Sequence, residues 1–156
     1  MRPSVSPPGL FKKQRQILFA GLAVLAFILT ATLQAHAQAP YEPARGTAER
    51  KDILNAVRPL VEARLNPPVE FVVTWMRVAG GWAFVGLAPQ RPGGGQINLR
   101  ATIYANEADY MDGAQTYALL RKAYGRWNIV DFAVGPTDVF WHGDPLYFGL
   151  PRGLTP

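Results

Sequence analysis

Residues 113–139 read GAQTYALLRKAYGRWNIVDFAVGPTDV, and the fold turns on how that stretch is read. Two runs of β-prone residues, 114–123 and 126–134, flank a tight Tyr124-Gly125 break, which predicts an antiparallel hairpin. In the second run, strict alternation sends Trp127, Ile129, Asp131 and Ala133 one way and Asn128, Val130, Phe132 and Val134 the other. Both sets are largely apolar. The run therefore reads as a central strand covered on both faces, with Asp131 as its odd member. It should stop at Gly135-Pro136, because proline has no N–H for the ladder and glycine tolerates a sharp change of direction.

Working outward toward the C-terminus, residues 136–156 carry Phe140, Trp141, Tyr147 and Phe148 among prolines and glycines. So apolar a tail is expected to wrap across the domain rather than hang in water. In the other direction, residues 89–112 are irregular. Gln90-Arg91-Pro92-Gly93-Gly94-Gly95 must be loop. Ile97, Leu99, Ala101 and Ile103 alternate with polar residues and suggest a short edge strand. Residues 69–78 and 82–88 form a second predicted hairpin around Ala79-Gly80-Gly81. Val69, Phe71, Val73 and Trp75 are expected to share a face in its first strand. In its second, Trp82, Phe84 and Gly86 should oppose Ala83, Val85 and Leu87.

Ahead of this hairpin, Ile53, Leu54, Val57, Val61 and Leu65 make the stripe of an amphipathic helix over residues 48–65. Thr47 is placed to cap it, and Glu49 suits the positive end of its dipole. Pro59 predicts a kink or two abutting helices, because its ring clashes with the carbonyl of Asn55. Residues 38–46, with Pro40, Pro43 and Gly46, read as a flexible leader with little to pack.

Residues 1–37 have the organisation of a secretory signal peptide. Lys12, Lys13 and Arg15 precede an uncharged run from Ile17 to Leu33, and Ala35-His36-Ala37 is an A-x-A cleavage pattern. The alternative is an uncleaved anchor, since seventeen residues lie at the lower edge of what spans a bilayer. Either way the domain is expected outside the cytoplasm, periplasmic or secreted, with no stable membrane insertion once the segment is cut.

The formal net charge of +5 comes from sixteen basic and eleven acidic residues. Four of the basic ones (Arg2, Lys12, Lys13, Arg15) lie in the signal segment and none of the acidic ones do, which leaves twelve against eleven. The basic character belongs to the export signal and gives no support to nucleic-acid binding. There is no cysteine, so thiol catalysis, thiolate metal sites and disulfides are excluded. Serine occurs only at Ser4 and Ser6, which removes a serine nucleophile from residues 38–156. That remaining chain is enough for one domain with a core of its own.

Four constellations bear on chemistry. Asp131 comes first: a carboxylate on an apolar strand must be paired, open to a concavity, or shifted in pKa. Tyr117, Trp127 and Trp141 are the candidate aromatic walls of a pocket around it, and Arg121 on the facing strand is its candidate structural partner. His142 stands between Asp138 and Asp144. It can be read as an oriented general base or as a surface histidine, and without a second histidine in residues 38–156 it makes no zinc set. Glu107, Asp109 and Asp112-Gly113 suggest a calcium loop, but Ala108 and Tyr110 occupy ligand positions and the motif fails. Gly93-Gly94-Gly95 with Arg91 and Arg100 could hold an anion, though no Lys-Ser/Thr pair follows as a phosphate loop requires. No metal site and no cofactor site is expected.

Residues 50–154 resemble a group of short exported bacterial proteins of unassigned function. The resemblance is carried by Pro68-Val69-Glu70-Phe71-Val72-Val73, Trp82-Ala83-Phe84-Val85 and Pro89-Gln90-Arg91-Pro92-Gly93-Gly94. Met111-Asp112-Gly113, Ala118-Leu119-Leu120-Arg121, Gly135-Pro136-Thr137-Asp138-Val139 and Gly149-Leu150-Pro151 continue it. It implies an envelope or secreted location and assigns no catalytic residue. In architecture the order of elements resembles cystatin-like and NTF2-like curved sheets.

The expectation is therefore a signal peptide (1–37), a leader (38–46) and one α+β domain (47–156). That domain has a helix on a curved antiparallel sheet of four to five strands and an aromatic tail. Its expected role is a non-catalytic binding or accessory module whose partner is an envelope protein or a small ligand. Arg91, Tyr117, Trp127 and Trp141 are the binding candidates. The alternative is a small hydrolase or isomerase with Asp131 or His142 as base.

Overall fold

A computed structural model describes residues 39–156. The expected signal peptide lies outside the described residues. Helix α1 (Ala48–Leu65) packs on one face of a curved, unclosed antiparallel sheet, which makes an α+β fold. The sheet runs in simple order through β1 (Glu70–Ala79), β2 (Trp82–Gln90), β3 (Thr116–Ala123) and β4 (Arg126–Val134). Its other face is covered by the C-terminal tail.

The helix forms where its stripe predicts. Thr47 Oγ1 accepts from Arg50 N–H at 3.4 Å as N-cap, and Ile53, Val57, Val61 and Leu65 are fully buried. Each such side chain contributes about 1.5–3 kcal/mol by leaving water. They meet Met76, Val78, Ala83, Val85, Leu87, Ala118, Leu120 and Trp127. Pro59 does not split the helix. Pro59 and Asn55 lie on its exposed side, where water can take the carbonyl that the proline leaves unbonded.

The leader is tied down where little packing was expected. Tyr41 pairs with Val78 through two backbone hydrogen bonds, at 3.0 and 2.8 Å. The Glu42 carboxylate meets both Arg50 and Arg77, and Pro43 is buried. The hydrogen bond from Arg50, aided by Arg77, holds the Glu42 carboxyl below its ordinary value.

Both predicted hairpins form, and β4 has the expected bounds. Its place differs: it is an edge strand, with β2 and β3 central. It looks central in sequence because apolar residues of both parities, Trp127 and Ile129 with Phe132 and Val134, all reach the helix-side core. Strict alternation fails as well. Leu119 pairs with Asp131 and Leu120 with Ile129, so Val130 is an extra residue in a β-bulge. Trp127 and Ile129 face the helix, and beyond the bulge Phe132 and Val134 do so too. Asp131 is turned to the tail face, where it meets Tyr147. The other edge repeats the device: Val73 pairs with Leu87 and Trp75 with Gly86, leaving Thr74 extra. Trp75 thus joins the tail side rather than the face of Phe71 and Val73.

In β2, where no bulge intervenes, the predicted split holds. Ala83, Val85 and Leu87 lie in the helix-side core, and Trp82 and Phe84 on the tail side. The short strand expected around Ile97–Ile103 is instead a 3-10 turn at Leu99–Ala101. Asn98 Oδ1 accepts from Arg100 N–H, and Thr102 donates its hydroxyl to Leu99 O, so local polar bonds replace a ladder. Gly135 ends β4 at φ +61°, donating to Gln115 O and accepting from Asp112 N–H. A Cβ there would stand 2.6 Å from the Gly113 carbonyl oxygen, so only glycine fits.

Candidate functional site

The tail face is an aromatic layer. Phe84 and Leu119 on the central strands, with Tyr117 beside them, form the sheet's contribution. Gly86 opens the middle of this face, and the Tyr117 ring and the Trp75 Cβ close over it. Onto this surface the tail sets Phe140, Trp141, Tyr147, Leu150 and Leu154. Trp141 lies 4.9 Å from Tyr117 and 5.1 Å from Phe84 between ring centroids, the latter edge to face. Tyr147 meets both Phe84 and Phe140 in T-shaped pairs. Pairs at such distances add about 0.5–1.5 kcal/mol beyond area burial.

Two polar anchors hold the tail, one at each edge of the sheet. On β4, the Tyr147 hydroxyl donates to Asp131 Oδ2 at 2.7 Å, and Asp131 Oδ1 accepts from Phe132 N–H at 2.8 Å. On β1, Trp75 Nε1–H donates to the carbonyl of Leu154 at 2.9 Å. Burial, and then the Asp131 carboxylate beside it, pushes the Tyr147 phenol far above its ordinary value. Four strands are roughly 14 Å across at their usual spacing. Residues 147–154 reach at most about 23 Å when extended, which suffices even with a turn at Pro145–Tyr147. That turn is capped by Asp144, whose Oδ1 accepts from Leu146 N–H at 2.8 Å.

Along this strap lies a cleft of about 320 Å³, walled by Trp141, His142, Tyr147, Phe148, Leu150, Arg152 and Thr155. Trp141 is 7 % exposed, yet its Nε1–H has no acceptor among the described residues. Phe148 is 68 % exposed at the cleft's margin.

The candidates from sequence are distributed unevenly over this geometry. Tyr117 and Trp141 meet on the tail face, and Asp131 borders the same layer through Tyr147. Trp127 does not join them. It sits in the helix-side core under Lys122, 5.3 Å from its ring, because the Val130 bulge separates its face from that of Asp131. Arg121 is not the partner of Asp131. Its guanidinium stacks 4.7 Å over Trp82 and donates to Gly80 O.

Arg91 is likewise engaged elsewhere. It donates to the carbonyls of Leu65 at 2.8 Å and Pro68 at 3.0 Å, and to Asn66 O, closing the C-terminal end of α1. The glycine loop beside it is a small hairpin, with Arg91 N–H on Gly95 O and Gly94 N–H on Arg91 O. His142 is exposed and stacks edge-on to Trp141, with no side-chain hydrogen bond to Asp138 or Asp144 among the described residues. Among those residues no three of His, Asp and Glu gather as a metal-holding group.

Sequence reasoning placed Tyr147 in the wrapping tail without pairing it to Asp131, and it missed Arg152. Asp144-Pro145, an N-cap followed by proline, was the local signal that a turn would set Tyr147 inward. Comparison of the chain with protein-family models, with curated proteins and with solved structures finds no match.

Proposed function

We propose that the protein is an exported, non-catalytic binding or accessory module, periplasmic or secreted, that meets a small ligand or an envelope protein through its tail face. One observation carries this reading. Asp131, the carboxylate set against the aromatic layer, already holds the Tyr147 hydroxyl and the Phe132 amide and serves to anchor the strap. An anchored aromatic layer with an open cleft beside it suits recognition, since aromatic side chains bring large contact area at low entropic cost. Export rests on the basic, apolar and A-x-A pattern of residues 1–37.

The test has two arms. Fractionation of cells expressing the full chain, followed by N-terminal sequencing, should find a product beginning at Gln38 outside the cytoplasm; a full-length cytosolic product overturns export. Purified protein is then offered chromogenic esters and glycosides. Turnover that disappears in either Asp131→Asn or His142→Gln, with folding retained, would replace the binding reading by the hydrolase one.

A further inference from the structure

The wall of the tail cleft is asymmetric in charge. Arg152 and His142 both border it, both are exposed, and neither has a carboxylate partner among the described residues. No aspartate or glutamate belongs to the wall. Asp144 and Asp131 are turned to other tasks, Asp144 to the Leu146 amide and Asp131 to Tyr147. Apart from Thr155, the remaining lining is largely apolar and aromatic, with Trp141, Phe148 and Leu150 prominent. Donors without acceptors, above an apolar floor, complement an anion that carries an apolar body. A volume of about 320 Å³ is at the small end of ligand clefts.

Resting on the reading of the tail face as a binding surface, we propose that this cleft takes a small carboxylate with an aromatic or branched apolar body. The Arg152 guanidinium would meet the carboxylate, which its planar fork fits in bidentate fashion. Trp141 and Phe148 would hold the body. A free organic acid and the C-terminal carboxylate of a peptide share this chemistry.

The test titrates the protein with 4-phenylbutyrate and with uncharged 4-phenyl-1-butanol, by calorimetry and by tryptophan fluorescence. The acid should bind about tenfold or more tightly than the alcohol, as a charge-assisted contact requires. Arg152→Gln should bring the acid down to the level of the alcohol while leaving the alcohol unchanged. Arg152 is exposed, so this variant retains the fold, which far-ultraviolet circular dichroism checks. A short peptide ending in phenylalanine, free or amidated, distinguishes the sources. Competition by the free form alone points to a chain terminus, and its failure to compete while phenylbutyrate binds points to a free acid.

Equal affinity for acid and alcohol overturns the proposed ligand class while leaving the tail face a binding surface. Silence from both probes at millimolar concentration overturns the inference outright. Neither result bears on export or turnover, which the preceding test decides.

Discussion

Tyr147→Phe removes one oxygen and leaves the ring contacts with Phe84 and Phe140 in place, so it isolates the anchor on β4. Asp131 would keep the Phe132 amide and lose the phenol at 2.7 Å. Hydrogen bonds to a charged group contribute about 1.5–3 kcal/mol. Asp131 is only half-buried, so water partly replaces the lost donor and the lower end applies. A loss of about 1.5 kcal/mol in urea unfolding is expected, about a tenth to a third of the stability of such a domain.

The pH dependence gives an independent reading. In the folded protein the Tyr147 phenol titrates far above its ordinary value, whereas the unfolded chain's phenol titrates near pH 10. Above that pH the unfolded state holds fewer protons than the folded state, so stability falls as pH rises. The anchor's contribution is thus complete below about pH 10 and declines above it by up to about 1.4 kcal/mol per unit. The phenylalanine variant should lack this component of the alkaline slope. A variant within about 0.5 kcal/mol of the parent at neutral pH, with an unchanged alkaline slope, refutes the account of the tail as anchored through Asp131.

Arg91→Lys should destabilise by about 1–3 kcal/mol despite conserving charge, because an ammonium cannot serve three carbonyls as the guanidinium fork does; urea unfolding of the variant beside Arg91→Ala measures it, and rescue by lysine refutes the capping role. Tyr124 is fully exposed and held at φ +51° in the β3–β4 turn. Replacing it by asparagine should therefore stabilise the protein by about 1 kcal/mol, seen as a raised thermal midpoint; a lowered midpoint refutes the assignment of strain.

What the sequence disclosed followed from whether periodicity was intact. The stripe of α1 and the alternation of β2 were legible because each element keeps one period from end to end. Both outer strands were read with the wrong faces, because an unpaired extra residue has no compositional signature. Thr74 and Val130 are ordinary strand residues, and the bulge appears only when the partner strand is laid alongside. The same limit explains the site. Asp131, Tyr117 and Trp141 stood out by chemical type, but Arg121 looked the natural partner of Asp131 only under strict alternation. The segment at Ile97–Ile103 alternates as a strand does, yet Asn98 and Thr102 supply side-chain bonds that make a turn the better local solution. Arg91 pointed to an anion loop because its true partners, the carbonyls at the end of α1, lie 23 to 26 residues away in sequence.

The two bulges share a consequence that ties fold to site. Each lies on an edge strand, where an extra residue can stay unpaired at the surface, and Thr74 and Val130 are both exposed. Each also reverses the facing of the residue that follows it, and those residues are Trp75 and Asp131. These same two side chains hold the strap, Trp75 through the Leu154 carbonyl and Asp131 through the Tyr147 hydroxyl. Under strict alternation Asp131 would lie with Trp127 and Ile129 against α1, a carboxylate facing an apolar helix stripe. Trp75 would crowd the same core beside Phe71 and Val73. The irregularities thus spare the helix-side core a charge and a bulky indole, and at the same stroke supply the tail face with both of its anchors. The cleft lies along the chain between and beside those anchors, so its shape depends on the register of both sheet edges rather than on the tail alone.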